Sequence, residues 1–530
     1  MEEKGRATVV GAAGILILST ILSRILGYSR DIIIAATYGQ GSVTDAYQAA
    51  FSIPDFLYNL LVGGAVSAAF IPVFSSYIAT GRQKEGWETA STVFNIAAPA
   101  MLVAVLTAGA LAPYIVERWL VPGFQPEYMA LTVRMTRIML IQAFFMALNG
   151  ISMGILNSYQ HFLAPAAAAV VYNIVIIFFG VVLGRRLGIT GFAVGVAAGG
   201  AAQFLFQLAG LRRIGWKYQP ILRLGHPGVR RIFVLMAPVV LSFTMTQVAL
   251  FAQQNISSSL VGGSLSAVRL AQRLMQLPVG IFAVTAAMAV FPTLTGQAAR
   301  GEMSLFKQSF SLGLRSIFFI TVPAAAGLAA LSGPIVRLLY QQGNFRPENT
   351  ALTANTLTFF CVGLFAYGGI HLMNRVFYAL QNTWIPVAVA AVAMALNIGL
   401  NVLLIGPLGT GGLALAYSAA GIANLTLLIL LARFKIGPLG GRQLLASWGK
   451  TVGLSLVMAA AAYATAAGLE RYLVDVTTKL GQALQVAGGG AAGVAVFFAG
   501  AAILRMEEIA MVKKLSRRRK QRGEGSEYKK

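Results

Sequence analysis

Charged residues, and acidic ones in particular, are scarce in this sequence. Only 11% of the 530 residues are charged, whereas 57% are hydrophobic. A soluble globular domain carries about 25% charged residues, so this chain lacks the polar surface that a water-exposed protein needs. Apolar runs of about 20 residues, the length that crosses a bilayer, recur along almost the whole chain. We therefore predict an all-α polytopic membrane protein without a large extramembrane domain.

Residues for metal, redox or nucleophilic chemistry are also few. Cys361 is the single cysteine, so neither an intrachain disulfide nor a cysteine metal site can form. The three histidines are scattered without metal-ligand spacing. The sequence therefore predicts no enzyme, no catalytic residue, no metal and no cofactor.

Fourteen apolar windows are long enough to be membrane-spanning helices. The first, second, seventh and eighth exceed the roughly 20 residues that a bilayer requires, so we expect them to tilt, bend or project beyond the lipid. The first window passes into Ser23-Arg24 without a cleavage pattern, which predicts an uncleaved span rather than a signal peptide. The predicted spans are 7–36, 44–77, 89–112, 129–153, 163–183, 189–211, 230–257, 262–295, 309–331, 352–378, 384–406, 411–433, 449–470 and 483–505.

The basic residues predict the orientation. An even number of spans places both termini on one side, and with the termini inside, 27 Lys and Arg fall in inside segments and 7 in outside segments. Cytoplasmic loops are enriched in Lys and Arg, so we predict cytoplasmic termini. The net charge of +24 is then a topology signal rather than a nucleic-acid site. The basic tail, 506–530, is predicted to be cytoplasmic. Its part from Ser516 to Lys530 is expected to be disordered and to lie against anionic membrane lipids, with a specific partner site as the alternative.

An internal repeat relates the two halves of the chain. The shift that places Gln160 on Gln381, called the repeat offset below, superposes the fifth span on the eleventh and the sixth on the twelfth without a gap. Both members of each pair cross in the same direction, which predicts two parallel six-helix lobes around a central cavity, followed by two extra helices. The other aligned pairs are Pro165 and Pro386, Gly188 and Gly409, Gly191 and Gly412, Ala193 and Ala414, and Gly200 and Gly421.

The repeat predicts a domain organisation in five parts. An N-terminal lobe occupies 1–211, a cytoplasmic inter-lobe loop 212–231 and a C-terminal lobe 232–433. Two additional helices lie in 434–505, and the basic tail follows in 506–530.

The charges inside the spans are the informative ones. Of the 17 acidic residues, only Asp31, Asp45 and Asp55 lie in or at the edge of a span. A charged side chain at bilayer depth costs about 2.5–3.5 kcal/mol on insertion scales, so several together imply an aqueous cavity or mutual pairing. The basic residues inside spans are all arginines, namely Arg24, Arg30, Arg134, Arg137, Arg269, Arg273 and Arg375.

Four of these arginines lie on the opening helices of the two lobes. Arg24 and Asp31 are seven residues apart and close to one helix face, and Arg269 and Arg273 are stacked four apart. The guanidinium donates paired hydrogen bonds to phosphate oxygens and keeps its proton. The surplus of arginines over acidic residues inside the spans favours a phosphorylated or diphosphate anion as ligand of Arg24, Arg30 and Arg273.

A structural role is the alternative for these charges. Arg24 would then pair with Asp31 and Arg30 with Asp45, and the others would extend to the membrane interface. We favour that role for Arg134, Arg137 and Arg375.

Prolines mark two candidate hinges. Pro54, followed by Asp55 in the second span, and Pro278 in the eighth span each free a backbone carbonyl and bend a helix. A static kink is the alternative interpretation of both.

Four motifs resemble the MurJ (MviN) family of lipid II flippases in the multidrug/oligosaccharidyl-lipid/polysaccharide exporter superfamily. They are LSRILGYSRD at 22–31, TDAY at 44–47, AAFIPVF at 68–74 and QRLMQLPVG at 272–280. The resemblance implies transport of lipid II, the undecaprenyl-diphosphate-linked disaccharide-pentapeptide, from the inner to the outer leaflet of the bacterial plasma membrane for peptidoglycan synthesis.

The resemblance also implies site residues. It places substrate-binding arginines at Arg24, Arg30 and Arg273, with Asp31 and Asp45 nearby, and it implies that the two extra helices help to form a groove for the lipid tail. Many members carry an arginine in the second span where this chain has Tyr58 and Asn59, and Arg269 could compensate for its absence.

Three other functions remain open from the residues alone. A flippase for another polyprenyl-diphosphate glycan, of the O-antigen or capsule type, would use the same arginines. A cation-coupled multidrug exporter would need membrane-embedded acids, which are few here. A scaffold for cell-wall synthesis proteins would leave the arginines unexplained.

Overall fold

The computed structural model describes residues 2–60, 69–439 and 441–508, and these are almost entirely helical. The all-α fold predicted from composition is confirmed. π-Helical turns at Val116–Leu120 and Val279–Ala283 continue two of the helices. The α-helices are α1 (Glu2–Tyr38), α2 (Ser42–Ala50), α3 (Ser52–Tyr58), α4 (Ile71–Ala79), α5 (Gln83–Ile115), α6 (Pro126–Ser158), α7 (Leu163–Leu187), α8 (Thr190–Arg213), α9 (Pro227–Ser257), α10 (Ser264–Pro278), α11 (Val284–Ala299), α12 (Met303–Ala330), α13 (Ser332–Tyr340), α14 (Pro347–Cys361), α15 (Leu364–Ala379), α16 (Trp384–Leu408), α17 (Thr410–Ile436), α18 (Gly441–Tyr472) and α19 (Lys479–Ile503).

Most predicted spans coincide with long apolar helices. Within the described ranges, ten helices are long and apolar enough to cross a membrane, and α14 with α15, bent by 44°, makes an eleventh. The first and seventh predicted spans are helical in the parts that are described, and the second is helical there except at Phe51. Residues 61–68 of the second span, with Ala68 of the AAFIPVF motif, lie outside the described residues, as does the tail beyond Glu508.

Besides the bend between α14 and α15 in the tenth predicted span, the structure differs from the prediction at two further places. The second span is interrupted at Phe51, between α2 and α3, because the proline at position 54 clashes with the backbone of the preceding turn. The segment between the ninth and tenth spans, expected to be a loop, contains the nine-residue helix α13. Its apolar residues Val336 and Tyr340 are buried, which stabilises so short a helix by packing.

The helix bounds recur at the repeat offset. Helix α7 and helix α16 begin and end at equivalent positions, and α6 begins and ends where α14 and α15 together do. The turns between them agree as well: Gly188 and Gly409 both have positive φ, at 57° and 53°, and so do Gln160 and Gln381, at 58° and 54°. The repeat seen in the sequence therefore extends to the backbone conformation.

Glycines permit close packing within two equivalent helix pairs, α7 with α8 and α16 with α17. A Cβ on Gly191 of α8 would lie 2.7 Å from the backbone nitrogen of Gly184 in α7. At the equivalent position, a Cβ on Gly412 of α17 would overlap the carbonyl oxygen of Leu404 in α16. Only glycine permits helix backbones to approach this closely.

Contacts divide the chain into two compact units. The first contains Met1–Ser266 with Gln342–Phe345, and the second contains Ala267–Gln341 with Arg346–Lys530. Helix α9 thus groups with the first unit, whereas the repeat assigns 232–257 to the C-terminal lobe. The five-part organisation, which is based on the sequence repeat, stays a prediction.

The segment between α8 and α9 is held against α5 of the first unit. Asn95 donates from Nδ2 to the carbonyl oxygens of Gln219 and Ile221, at 3.0 and 2.9 Å. Arg223 forms an ion pair of 2.6 Å with Glu88. The predicted inter-lobe loop is therefore docked along one helix rather than extended.

Candidate functional site

Helix α1 is positioned by a polar contact with α7. Ser23 donates to the carbonyl oxygen of Ala169 at 3.3 Å, and the amide of Asn173 reaches Ser23 Oγ at 3.3 Å. Gly27, one turn further along, faces the same Asn173 side chain, which would lie 3.8 Å from a Cβ there. Ser23 of the LSRILGYSRD motif therefore bonds α1 to α7.

The three charged residues of this motif differ in their surroundings. Arg30 donates from Nε and Nη2 to Oδ1 of Asp31, at 3.3 and 3.2 Å. Their side chains are 13% and 3% exposed. Arg24 is exposed on the surface of the first unit, and the described residues give it no ion pair. One arginine is thus partly neutralised and the other is available for an anionic ligand.

The pairing expected under the structural alternative is wrong. Asp31 pairs with Arg30 rather than with Arg24, and Asp45 does not pair with Arg30. The physical reason is that the Asp45 carboxylate is already satisfied by Gly263 and Ser266, while Arg30 bonds to its sequence neighbour Asp31.

Asp45 of α2 bonds to the first turn of α10. Its oxygens accept hydrogen bonds from the backbone nitrogens of Gly263 and Ser266, each at 2.7 Å, and from Ser266 Oγ at 2.6 Å. The residue is 2% exposed. A carboxylate in this position satisfies amides that the helix itself leaves unpaired and interacts favourably with the helix dipole. All of these residues belong to the first unit, and the geometry gives Asp45 a structural task.

The candidate hinge in the second span lies at a helix break. Helix α2 ends at Ala50 and α3 begins at Ser52, and the amide of Asp55 bonds to the carbonyl of Phe51 at 2.8 Å. Pro54 is buried and Asp55 is half-buried. The break is a finding, and motion about it stays a prediction.

Arg269 and Arg273 lie on the more open face of α10 in the second unit. Both are half-buried, with Gln272 and Gln276 on the same side of the helix. The opposite face is apolar and includes the buried Ala271 and Leu274. The helix therefore presents a stripe of amides and guanidinium groups, as the spacing predicts.

The eighth span changes its winding directly after Pro278. Helix α10 ends at that residue, the π-helical turn Val279–Ala283 follows, and α11 continues the span. A π-helical turn widens the backbone and is common at functional sites. Pro278 thus lies at an irregular point of the span, and its role as a hinge stays a prediction.

Two of the other span arginines have structural contacts. Arg137 donates from Nε to the carbonyl oxygen of Gly109 at 3.0 Å. The guanidinium of Arg375 lies 5.7 Å from the ring centre of Phe291, within range of a cation–π interaction.

A family model places the chain among known proteins. The model described as "Lipid II flippase MurJ" matches residues 34–480, which is most of the chain. The chain belongs to the MurJ family.

Relatives and solved structures agree with this assignment. A protein of Rhizobium meliloti named "Probable lipid II flippase MurJ" is 30% identical over 525 residues, covering 97% of this chain and 96% of the relative. A solved structure of "Lipid II flippase MurJ, inward closed conformation" matches with a TM-score of 0.77 and 27% identity, over 93% of this chain and 99% of that one. A multidrug resistance MATE family transporter of the MOP superfamily shares the fold at 16% identity, with a TM-score of 0.65 over 80% of this chain and 98% of that one.

Some residues around these MurJ-family motifs escape sequence reasoning. Asn173 is a single amide in a long apolar run, and an isolated polar residue of this kind is the sequence feature that could have indicated a contact. Gln40, whose amide donates to the carbonyl oxygen of Gly263 at 3.0 Å, has no such signal. Its partner is 223 residues away, so only the tertiary structure reveals the contact.

Proposed function

We propose that this chain is a lipid II flippase that moves the undecaprenyl-diphosphate-linked precursor from the inner to the outer leaflet of the bacterial plasma membrane. Membership of the MurJ family over residues 34–480 carries the proposal. Relatives that match nearly the whole chain support it. The protein is then a transporter rather than an enzyme, and it works by alternating access.

The arginines of α1 and α10 are the proposed ligands of the diphosphate. Arg24 is exposed and has no ion pair among the described residues, whereas Arg30 shares its charge with Asp31. Arg269 and Arg273 add two cations on one face of α10. A diphosphate presents several oxygens to such groups, and the fork of a guanidinium binds two of them at once.

Substitution of these arginines tests the site. We expect Arg24→Ala, Arg30→Ala and Arg273→Ala each to abolish complementation of a strain lacking its lipid II flippase, and lysine to restore it incompletely. Arg137→Ala is the matched control, because it removes a span arginine that bonds to a backbone carbonyl. If all three alanine variants support growth like the parent at equal membrane abundance, the assignment is wrong.

A leaflet assay tests the cargo. During depletion of the protein in a strain without a redundant flippase, lipid II should become protected from an externally added enzyme that cleaves its diphosphate. Unchanged cleavage would refute lipid II as the cargo. Rescue of an O-antigen or capsule flippase strain instead would favour the other polyprenyl-diphosphate substrates.

The termini of this multi-pass protein are proposed to be cytoplasmic. The 27 to 7 division of basic residues supports this orientation, and the basic tail, which lies outside the described residues beyond Glu508, is proposed to contact anionic lipids. In a Cys361→Ala background, Asp475→Cys should react with an impermeant thiol reagent in intact cells, whereas Arg442→Cys should not. Labelling at position 442 would refute the orientation. Contacts with cell-wall synthesis proteins are a further proposal.

A further inference from the structure

A polar cavity lies at one end of the second unit, where α12, α18 and the segment after α19 meet. It is open to solvent on one side and has a volume of about 250 Å³. Its charged and hydroxyl-bearing lining residues are Arg315, Ser447, Lys450, Arg505, Glu507 and Glu508.

The two acids of this pocket are already bound within it. Arg315 donates from Nε to Glu508 at 2.7 Å and from Nη2 to Glu507 at 3.0 Å, and Ser447 donates to Glu508 at 2.7 Å. Burial alone would raise the pKa of Glu508, but the bonds from Ser447 and Arg315 lower it below its usual value. Glu508, whose side chain is 3% exposed, is therefore a buried carboxylate with its charge matched.

Two cationic side chains of the pocket are not paired with an acid. Lys450 and Arg505 line the cavity, and neither forms an ion pair within the described part of the chain. The pocket thus holds three cations against two acids, and its surplus charge lies on the two side chains that solvent reaches.

The backbone of Arg505 adds a second observation. Its φ is +48°, and the bonds from Arg505 N to Ala502 O and from Met506 N to Ala501 O, each 3.0 Å long, close α19 in a Schellman motif. Glycine is the usual residue at this position because it avoids the Cβ strain. Arg505 therefore lines the pocket from the turn that ends α19.

The chemistry of the pocket identifies its ligand class. A cavity of 250 Å³ is smaller than the roughly 300–1,000 Å³ that drug-sized ligands occupy, and it has room for a small anionic group such as a phosphate. Basic pockets at the ends of membrane helices suit phosphate groups. We propose that this pocket binds the phosphate group of a membrane phospholipid, with Lys450 and Arg505 as its ligands. The site is independent of the cargo proposed above, and it rests on the proposed cytoplasmic position of this end of the helices.

Native mass spectrometry of the full-length protein in detergent tests the site. The probes are phosphatidylglycerol and diacylglycerol, which lacks the phosphate. Lys450→Gln with Arg505→Gly should weaken phosphatidylglycerol binding about thirtyfold, and glycine suits the backbone at position 505. Arg433→Gln with Lys435→Gln is the matched control, since it removes the same charge from the exposed end of α17. Diacylglycerol binding should be the same in all three proteins.

Inorganic phosphate distinguishes the two sources of the group. If millimolar phosphate displaces the lipid, free phosphate also occupies the pocket. If phosphate does not displace the lipid, the pocket is specific for the lipid headgroup. The inference is overturned if the pocket variant keeps the parental affinity, or if both double variants lose affinity equally. Lys450→Gln alone, at an exposed position of α18, should show part of the loss and serves if the double variant does not fold.

Discussion

Substitution of Asp45 tests whether its carboxylate stabilises the fold or binds the substrate. It accepts three hydrogen bonds of 2.6–2.7 Å from Gly263 and Ser266 and is 2% exposed. Asp45→Ala would leave two backbone N–H groups without their acceptor, and each unsatisfied buried group costs about 1–3 kcal/mol. We therefore expect a destabilisation of about 3 kcal/mol.

Two further variants rank the contribution of each bond. Ser266→Ala removes only the hydroxyl bond and should cost about 1 kcal/mol. Asp45→Asn keeps one acceptor oxygen but turns an amide group toward a backbone N–H, so its effect should lie between the other two. The measurement is the thermal unfolding midpoint of the protein in detergent, compared as a rank order because so large a chain is not expected to unfold in two states.

The outcome decides between the two roles. A substrate contact predicts that Asp45→Ala abolishes complementation while the unfolding midpoint stays parental. The structure predicts a lowered midpoint, with the largest loss for Asp45→Ala, a smaller one for Asp45→Asn and the smallest for Ser266→Ala. A parental midpoint for Asp45→Ala, or a larger loss for Ser266→Ala, would refute the structural role.

Three other predictions use the thermal unfolding midpoint or proteolysis. Gly412→Ala should destabilise the protein by about 1–3 kcal/mol, because the added Cβ would overlap the carbonyl oxygen of Leu404. Gly399→Ala, on the neighbouring helix and with open space around it, should not destabilise the protein. Equal effects of the two substitutions would contradict the packing argument. Gln381→Gly should leave stability within about 1 kcal/mol of the parent or raise it, since it relieves positive φ at the expense of chain entropy, and a large loss would show that the Gln side chain is needed. Asn95→Ala should hasten cleavage in 214–226 because it frees two backbone carbonyls, and unchanged proteolysis would contradict docking of this loop.

The periodic features of the fold could be predicted from the sequence. Length and hydropathy set the helices, since a bilayer leaves no alternative for a spanning segment of this kind. The repeat offset also predicted equivalent helix ends, and Gln160 and Gln381 share a positive φ although neither is the glycine expected at a Schellman position.

The pairing of charges could not be predicted in the same way. Spacing on one helix placed Arg24 and Asp31 on a common face, yet a flexible arginine can bend back to its sequence neighbour, as Arg30 does. Short-range geometry thus identified the right residues without their partners. The bonds of Asp45 go to Gly263 and Ser266, which are distant in the sequence, and no local pattern records them.

The repeat explains why this contact carries one charge rather than two. At the repeat offset, Ser266 is the equivalent of Asp45, and the two side chains bond to each other at 2.6 Å. Equivalent positions of two repeats that contact one another cannot both carry a carboxylate without repulsion, whereas a carboxylate opposite a hydroxyl satisfies both. Divergence of the two halves at this position is therefore a requirement of the contact itself, because a second aspartate there would set two carboxylates against each other and break the bond.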